Sequence, residues 1–172
     1  TGFYAAGESA CVSVHGGNRL GTNSLLDLIV FGRRSGKAIM EFLKGGAKYA
    51  PLPAKADEWT RKRMNEILAA KGTERVAAIR KDLQREMMDN VGVFRNEPDL
   101  KKMMRILGEL RARYANIKID DKGKQFNTDM LEALELENLL DTAETITYGA
   151  LLRQESRGAH AREDFTSRDD QN

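Results

Sequence analysis

Residues 15–27 read HGGNRLGTNSLLD, which crowds three glycines, one arginine, two asparagines and a serine into a short stretch before a run rich in leucine. Arginine carries a planar fork of N–H donors that matches the two oxygens of a carboxylate. A glycine-rich turn that runs into a helix presents main-chain N–H groups and the positive end of the helix dipole. Together these features suit an anion: a phosphate, a carboxylate, or a reduced cofactor bearing negative charge. The stretch is neither GxGxxG nor the phosphate-binding GxxxxGK[ST]. A tight connection would use the same residues, so spacing alone leaves both readings open.

Elsewhere the chemistry-bearing residues are sparse. Two histidines, His15 and His160, with the single Cys11 fall short of a structural zinc site, so no metal is expected. One cysteine excludes an internal disulfide and fits a reducing compartment. The 28 Lys+Arg nearly cancel the 26 Asp+Glu and form no block, which argues against a nucleic-acid partner or a polybasic membrane patch. Residues 28–31, four apolar side chains in a row, are far too short to span a bilayer.

The elements that must position the turn fall into two unequal halves. Nine of the fifteen glycines lie in the first 46 residues, and Pro51 and Pro53 close that region. Beyond them Leu, Met, Ala, Glu, Lys and Arg dominate, the residues of helices. A boundary is placed at residue 52, giving domains 1–52 and 53–172. The opening TGFYAAGESACVSV reads as strand and turn, and a strand beginning at residue 1 without partner strands suggests a C-terminal fragment. Residues 24–44 read as a helix capped by Asn23 or Ser24 and ended by Gly45 and Gly46.

In the second half a short helix begins near Asp57 and carries Trp59, Ile67 and Leu68. Val76, Ile79, Leu83, Met87, Val91 and Phe94 recur at helical spacing. Leu100, Met103, Leu107, Leu110 and Tyr114 repeat it after the start signal at Pro98 and Asp99. A third long helix, with Asn127 or Thr128 as N-cap, carries Met130, Leu131, Leu134, Leu139, Ala143, Ile146 and Ala150. The methionines read as core filler. The expected fold is mainly α: an antiparallel three- to four-helix bundle preceded by a short strand/turn/helix remnant of another domain.

Four segments carry a resemblance. GESACVSVHGGNRLGTNSLLDLIVFGR (7–33) resembles the last flavin-contacting segment of the succinate dehydrogenase/fumarate reductase flavoprotein subunits, whose usual pattern is GE followed by HGANRLGGNSLLD. AIRKDLQREMMDNVGVFR (78–95), FNTDMLEALELENLLDTAETI (126–146) and ESRGAHAREDFTSRDD (155–170) resemble that family's helical domain and C-terminal signature. Gly17 stands where the family usually has alanine, and Thr22 where it usually has glycine.

The resemblance implies that residues 1–52 end an FAD-binding domain. It implies that Glu8 accepts hydrogen bonds from FAD hydroxyls, that Ser24 and Leu25 reach the flavin, and that Arg19 binds a carboxylate of succinate or fumarate. His15 is a site or structural histidine. Arg157, His160 and Arg162 belong to a charged terminal motif that either fastens the helical domain to the flavin domain or the iron–sulfur partner, or is a solvated salt-bridge cluster. The implied partners are an iron–sulfur subunit and membrane anchor subunits, with a peripheral location on the cytoplasmic side of the membrane. The family's flavin-linking histidine and proton-delivering arginine have no counterpart here, so no catalytic residue is expected in this chain. L-aspartate oxidase, and a non-catalytic helical docking module, are the alternative readings.

Overall fold

The computed structural model describes residues 2–48 and 50–171. The chain divides into two compact units: one runs to Ala54 and includes the tripeptide Arg157–Ala159, the other comprises Lys55–Ser156 and His160 onward.

In the first unit a single 3-10 turn, Gly7–Ser9, precedes α1 (Gly21–Lys44). The expected opening strand is absent among the described residues. Ala6 and Ala10 do have extended backbone, but a strand also requires a partner's main-chain hydrogen bonds, and none is paired there. α1 starts three residues earlier than expected, with Leu20 as its N-cap and no side-chain cap. Neither Asn23 nor Ser24 caps it, because the Ser24 hydroxyl donates back to the Leu20 carbonyl at 3.3 Å inside the first turn. At the other end Gly45 is the C-cap, followed by Gly46 in the left-handed region, as expected.

The second unit holds α2 (Glu58–Ala69), α3 (Val76–Val91), α4 (Glu97–Ala115) and α5 (Thr128–Leu152). Asn96 caps α4 by accepting from the Asp99 N–H at 3.0 Å, and Asn127 caps α5 by accepting from the Met130 N–H at 2.8 Å. The core lies among α3, α4 and α5, where Ile79, Leu83, Leu100, Met103, Leu107, Leu110, Leu136 and Leu140 are buried. Met103 fills the core as expected, while Met40 and Met88 are exposed. Two parallel pairs of two residues each tie loop to loop. Residues Glu74–Arg75 (β1) pair with Ile117–Lys118 (β3), and Phe94–Arg95 (β2) with Ala161–Arg162 (β4). Phe94, expected on α3, therefore belongs to β2 and is exposed.

α5 departs most from its expected face. Ala133, Leu136, Leu140, Ala143, Thr147 and Ala150 are the buried stripe, whereas Leu131, Leu139 and Ile146 are exposed. The helix is apolar on several sides, and the side bearing three alanines admits the closest approach of its neighbours.

Candidate functional site

Residues 15–20 form the turn that enters α1. With Leu20 supplying no side-chain acceptor, the first-turn N–H groups have no capping side chain. Ser24 and Leu25 sit on that turn, and the Leu25 side chain is exposed. Arg19 Nη2 donates to Glu8 Oε1 at 2.8 Å, with the two side chains 36% and 78% exposed. An ion pair so open to water stabilises by no more than about 1 kcal/mol. Arg19 thus meets Glu8 through one nitrogen only, in a pair open to solvent.

His15 is anchored differently. Its Nε2 meets Asp27 Oδ2 at 2.9 Å, and Asp27 is the one buried side chain of α1, 7% exposed. An ionised carboxylate only accepts, so Nε2 carries the hydrogen. Asp27 Oδ1 is buried without a hydrogen-bond partner among the described residues. Asp27 was not singled out from the sequence, although a lone acid within LLDLIVF was the available signal: an acid survives on an apolar face only with a partner.

The terminal motif divides between the two units. Arg157 belongs to the first, where its Cγ and carbonyl lie over Gly17. His160 and Arg162 belong to the second and make a polar cluster of their own. Arg162, 1% exposed, donates through Nη1 to the carbonyls of Ala150, Leu151 and Arg153 at 2.9, 3.3 and 3.1 Å. Its Nε and Nη2 grip both oxygens of Asp164 at 2.7 and 2.8 Å. That bidentate bond raises the Arg162 pKa and holds the Asp164 carboxyl far below the usual carboxylate range. Arg162 thus closes the C-terminal end of α5, and Asp164 in turn accepts the Glu97 N–H at 2.8 Å at the start of α4. Arg95 Nη1 meets His160 Nδ1 at 2.8 Å, and His160 Nε2 meets the Arg153 carbonyl at 3.1 Å. A guanidinium only donates, so Nδ1 accepts and Nε2 carries the hydrogen. Burial lowers the His160 pKa, and the positive charge of Arg95 adds to the effect.

Among the described residues no group of three or more His, Cys, Asp or Glu could hold a metal ion, and no helix is long and apolar enough to cross a membrane.

A family model described as fumarate reductase flavoprotein C-term matches residues 80–172, more than half of the chain. A succinate dehydrogenase flavoprotein subunit of Rickettsia bellii is 45% identical over 169 residues, 98% of this chain and 28% of that protein. A fumarate reductase flavoprotein subunit of Mycobacterium tuberculosis is 42% identical over 176 residues, 99% of this chain and 30% of its own length. Among solved structures, E. coli quinol fumarate reductase matches with a TM-score of 0.89 and 36% identity, covering 98% of this chain and 29% of that one. The Mycobacterium smegmatis Sdh1 complex matches at 0.80 and 34%, covering 96% and 28%. The helical unit and the turn before α1 are thus those of a flavoprotein's C-terminal part. The chain belongs to the succinate dehydrogenase/fumarate reductase flavoprotein subunit family. It spans 28% of the length of the first relative, against which it matches a C-terminal part.

Proposed function

We propose that this chain is the C-terminal part of a flavoprotein that interconverts succinate and fumarate, and that residues 7–25 supply one flank of its site. The observation that carries this reading is the Arg19–Glu8 pair beside the uncapped start of α1, in a chain of this family. The donor chemistry fits FAD. Glu8 is an exposed acceptor that would suit ribose or ribityl hydroxyls, and the uncapped first-turn N–H groups would favour the negative charge of a reduced flavin. Ser24 and Leu25 stand on that turn. When bound, FAD supplies the two-electron acceptor that no side chain here can provide.

Arg19 is the substrate-holding residue: it exchanges the Glu8 carboxylate for one carboxylate of the dicarboxylate and fixes its orientation. His15 fastens the turn to α1 through Asp27. None of these residues moves a proton to or from the substrate, so the chain alone is inactive. The names of the relatives above support succinate or fumarate rather than aspartate as substrate. The quinol fumarate reductase and Sdh1 assemblies among the neighbours support a peripheral subunit that works with an iron–sulfur subunit and membrane anchor subunits.

The intact mass and visible spectrum of the full-length gene product test this reading. The expected product is several times heavier than this chain, yellow, and bleached by succinate. Arg19→Ala should retain FAD while raising the succinate concentration needed for bleaching by about 100-fold or more. A colourless product no larger than this chain would favour the docking module instead.

A further inference from the structure

The turn that carries Arg19 is covered by the tripeptide Arg157–Ala159, which belongs to the same compact unit although it lies far along the chain. Gly158 has φ +61°, and a Cβ placed on it would stand 2.3 Å from the Gly17 carbonyl oxygen, 2.4 Å from its carbon and 2.9 Å from the Asn18 nitrogen. All three are main-chain atoms of the peptide joining Gly17 to Asn18, so no rotamer change can relieve the clash. In the other direction, a Cβ on Gly17 would stand 2.9 Å from Arg157 Cγ and 3.3 Å from the Arg157 carbonyl carbon and oxygen. Two bare Cα atoms thus let two stretches of backbone meet with no side chain between them. The turn is pinned at His15 by Asp27 and at Gly17 by this contact, and Arg19 lies two residues beyond Gly17.

We propose that Gly158 is a positioning residue for dicarboxylate binding: its missing side chain seats the tripeptide against the peptide after Gly17 and so fixes where Arg19 presents its guanidinium. This rests on the reading of Arg19 as the carboxylate-holding residue. A methyl at 158 must move the two backbones apart by about 1 Å to restore ordinary contact with the Gly17 oxygen. A displacement of that size at a positioning group weakens a response by up to about 100-fold. A methyl at 17 asks only a few tenths of an ångström of the Arg157 backbone and a shift of its flexible side chain.

The test uses the full-length flavoprotein with FAD bound and malonate as a non-reacting dicarboxylate, its dissociation constant read from the change in the flavin spectrum. Gly158→Ala is expected to weaken malonate by about 10- to 100-fold with FAD content retained, and Gly17→Ala by about threefold or less. Gly17→Val, which presses on the same contact from the other side, should exceed Gly17→Ala. Removing the overlying side chain, as in Arg157→Ala, should recover part of the Gly17→Ala loss. A purely structural role would lower thermal stability and leave malonate affinity at 25 °C unchanged. Wild-type affinity in Gly158→Ala overturns the proposal. If Gly158→Ala does not fold, a flat Gly17→Ala and Gly17→Val series overturns it equally. Loss of malonate binding in Arg19→Ala alongside normal binding in these glycine variants would leave the functional reading standing without the proposal. A wild-type protein that binds no malonate removes both.

Discussion

α1 and the α3–α5 bundle are built from similar apolar content and use it in opposite ways. Across its 24 residues α1 buries one side chain, Asp27, and leaves Leu25, Leu26, Ile29, Val30, Met40 and Phe42 exposed. α4, with 19 residues, buries Leu100, Met103, Leu107 and Leu110 on one stripe and turns its charges outward. A helix whose apolar stripe lies open to water is the kind that a larger fold encloses. The bundle carries its own core, whereas the first unit presents apolar surface that asks for a covering layer. The buried core and the proposed site are therefore separated along the chain: the bundle carries the core, and the turn with Arg19 sits in the unit that lacks one.

The largest effect expected from this contrast is in amide hydrogen exchange of the 172-residue chain. Amides in the middle of α3, α4 and α5 should exchange at least about 1000-fold more slowly than those of residues 7–30. Equal protection in the two regions would break the comparison. Next come truncations of apolar side chains. Leu107→Ala should cost about 3 kcal/mol, roughly 10 °C in the melting of the helical unit. Ile29→Ala, on exposed surface, should change the same chain by less than about 0.5 kcal/mol. In a full-length holoprotein that encloses α1, Ile29→Ala should approach the cost of Leu107→Ala, which would sharpen the contrast into one of missing surroundings.

The smallest effect concerns pH. His160 has its pKa lowered in the folded state, chiefly by burial, so the neutral form is favoured there. Its contribution is fully present above the unfolded value of about 6.5 and is lost as pH falls through the lower folded value. Urea midpoints of the bundle measured from pH 8 down to pH 5 should fall below pH 6.5, and His160→Gln should flatten that part of the curve. An unchanged profile in the variant would show that the cluster of Arg95, Arg153 and His160 does not couple to folding.

The bundle was legible wherever a single stripe ran along a helix. α3 and α4 follow their three–four spacing, and Asn127 caps α5 as expected, whereas the cap of α4 is Asn96, just before the Pro98 and Asp99 start signal and not singled out from the sequence. α5 was less legible because Leu131, Leu139 and Ile146 compete with the buried stripe, and small residues rather than large ones choose the face. The paired strands are two residues long, too short for any alternation to register. In the turn, the residue types pointed to anion chemistry, but the pairing of Arg19 with Glu8 and of His15 with Asp27 spans 11 and 12 residues and has no periodic signature. The seating of Gly158 on Gly17 joins positions far apart in sequence, and only three-dimensional structure brings them together.

The Arg162 guanidinium has a further consequence for how the chain is made. It satisfies the last carbonyls of α5, yet it is encoded ten residues after Leu152, where that helix ends. On a growing polypeptide these carbonyls lack the Arg162 guanidinium until the tail has left the ribosome. The same tail brings Asp164 to the first turn of α4, so two helices receive their finishing contacts together and late. A premature stop before residue 162 would leave α4 and α5 encoded but without these finishing contacts.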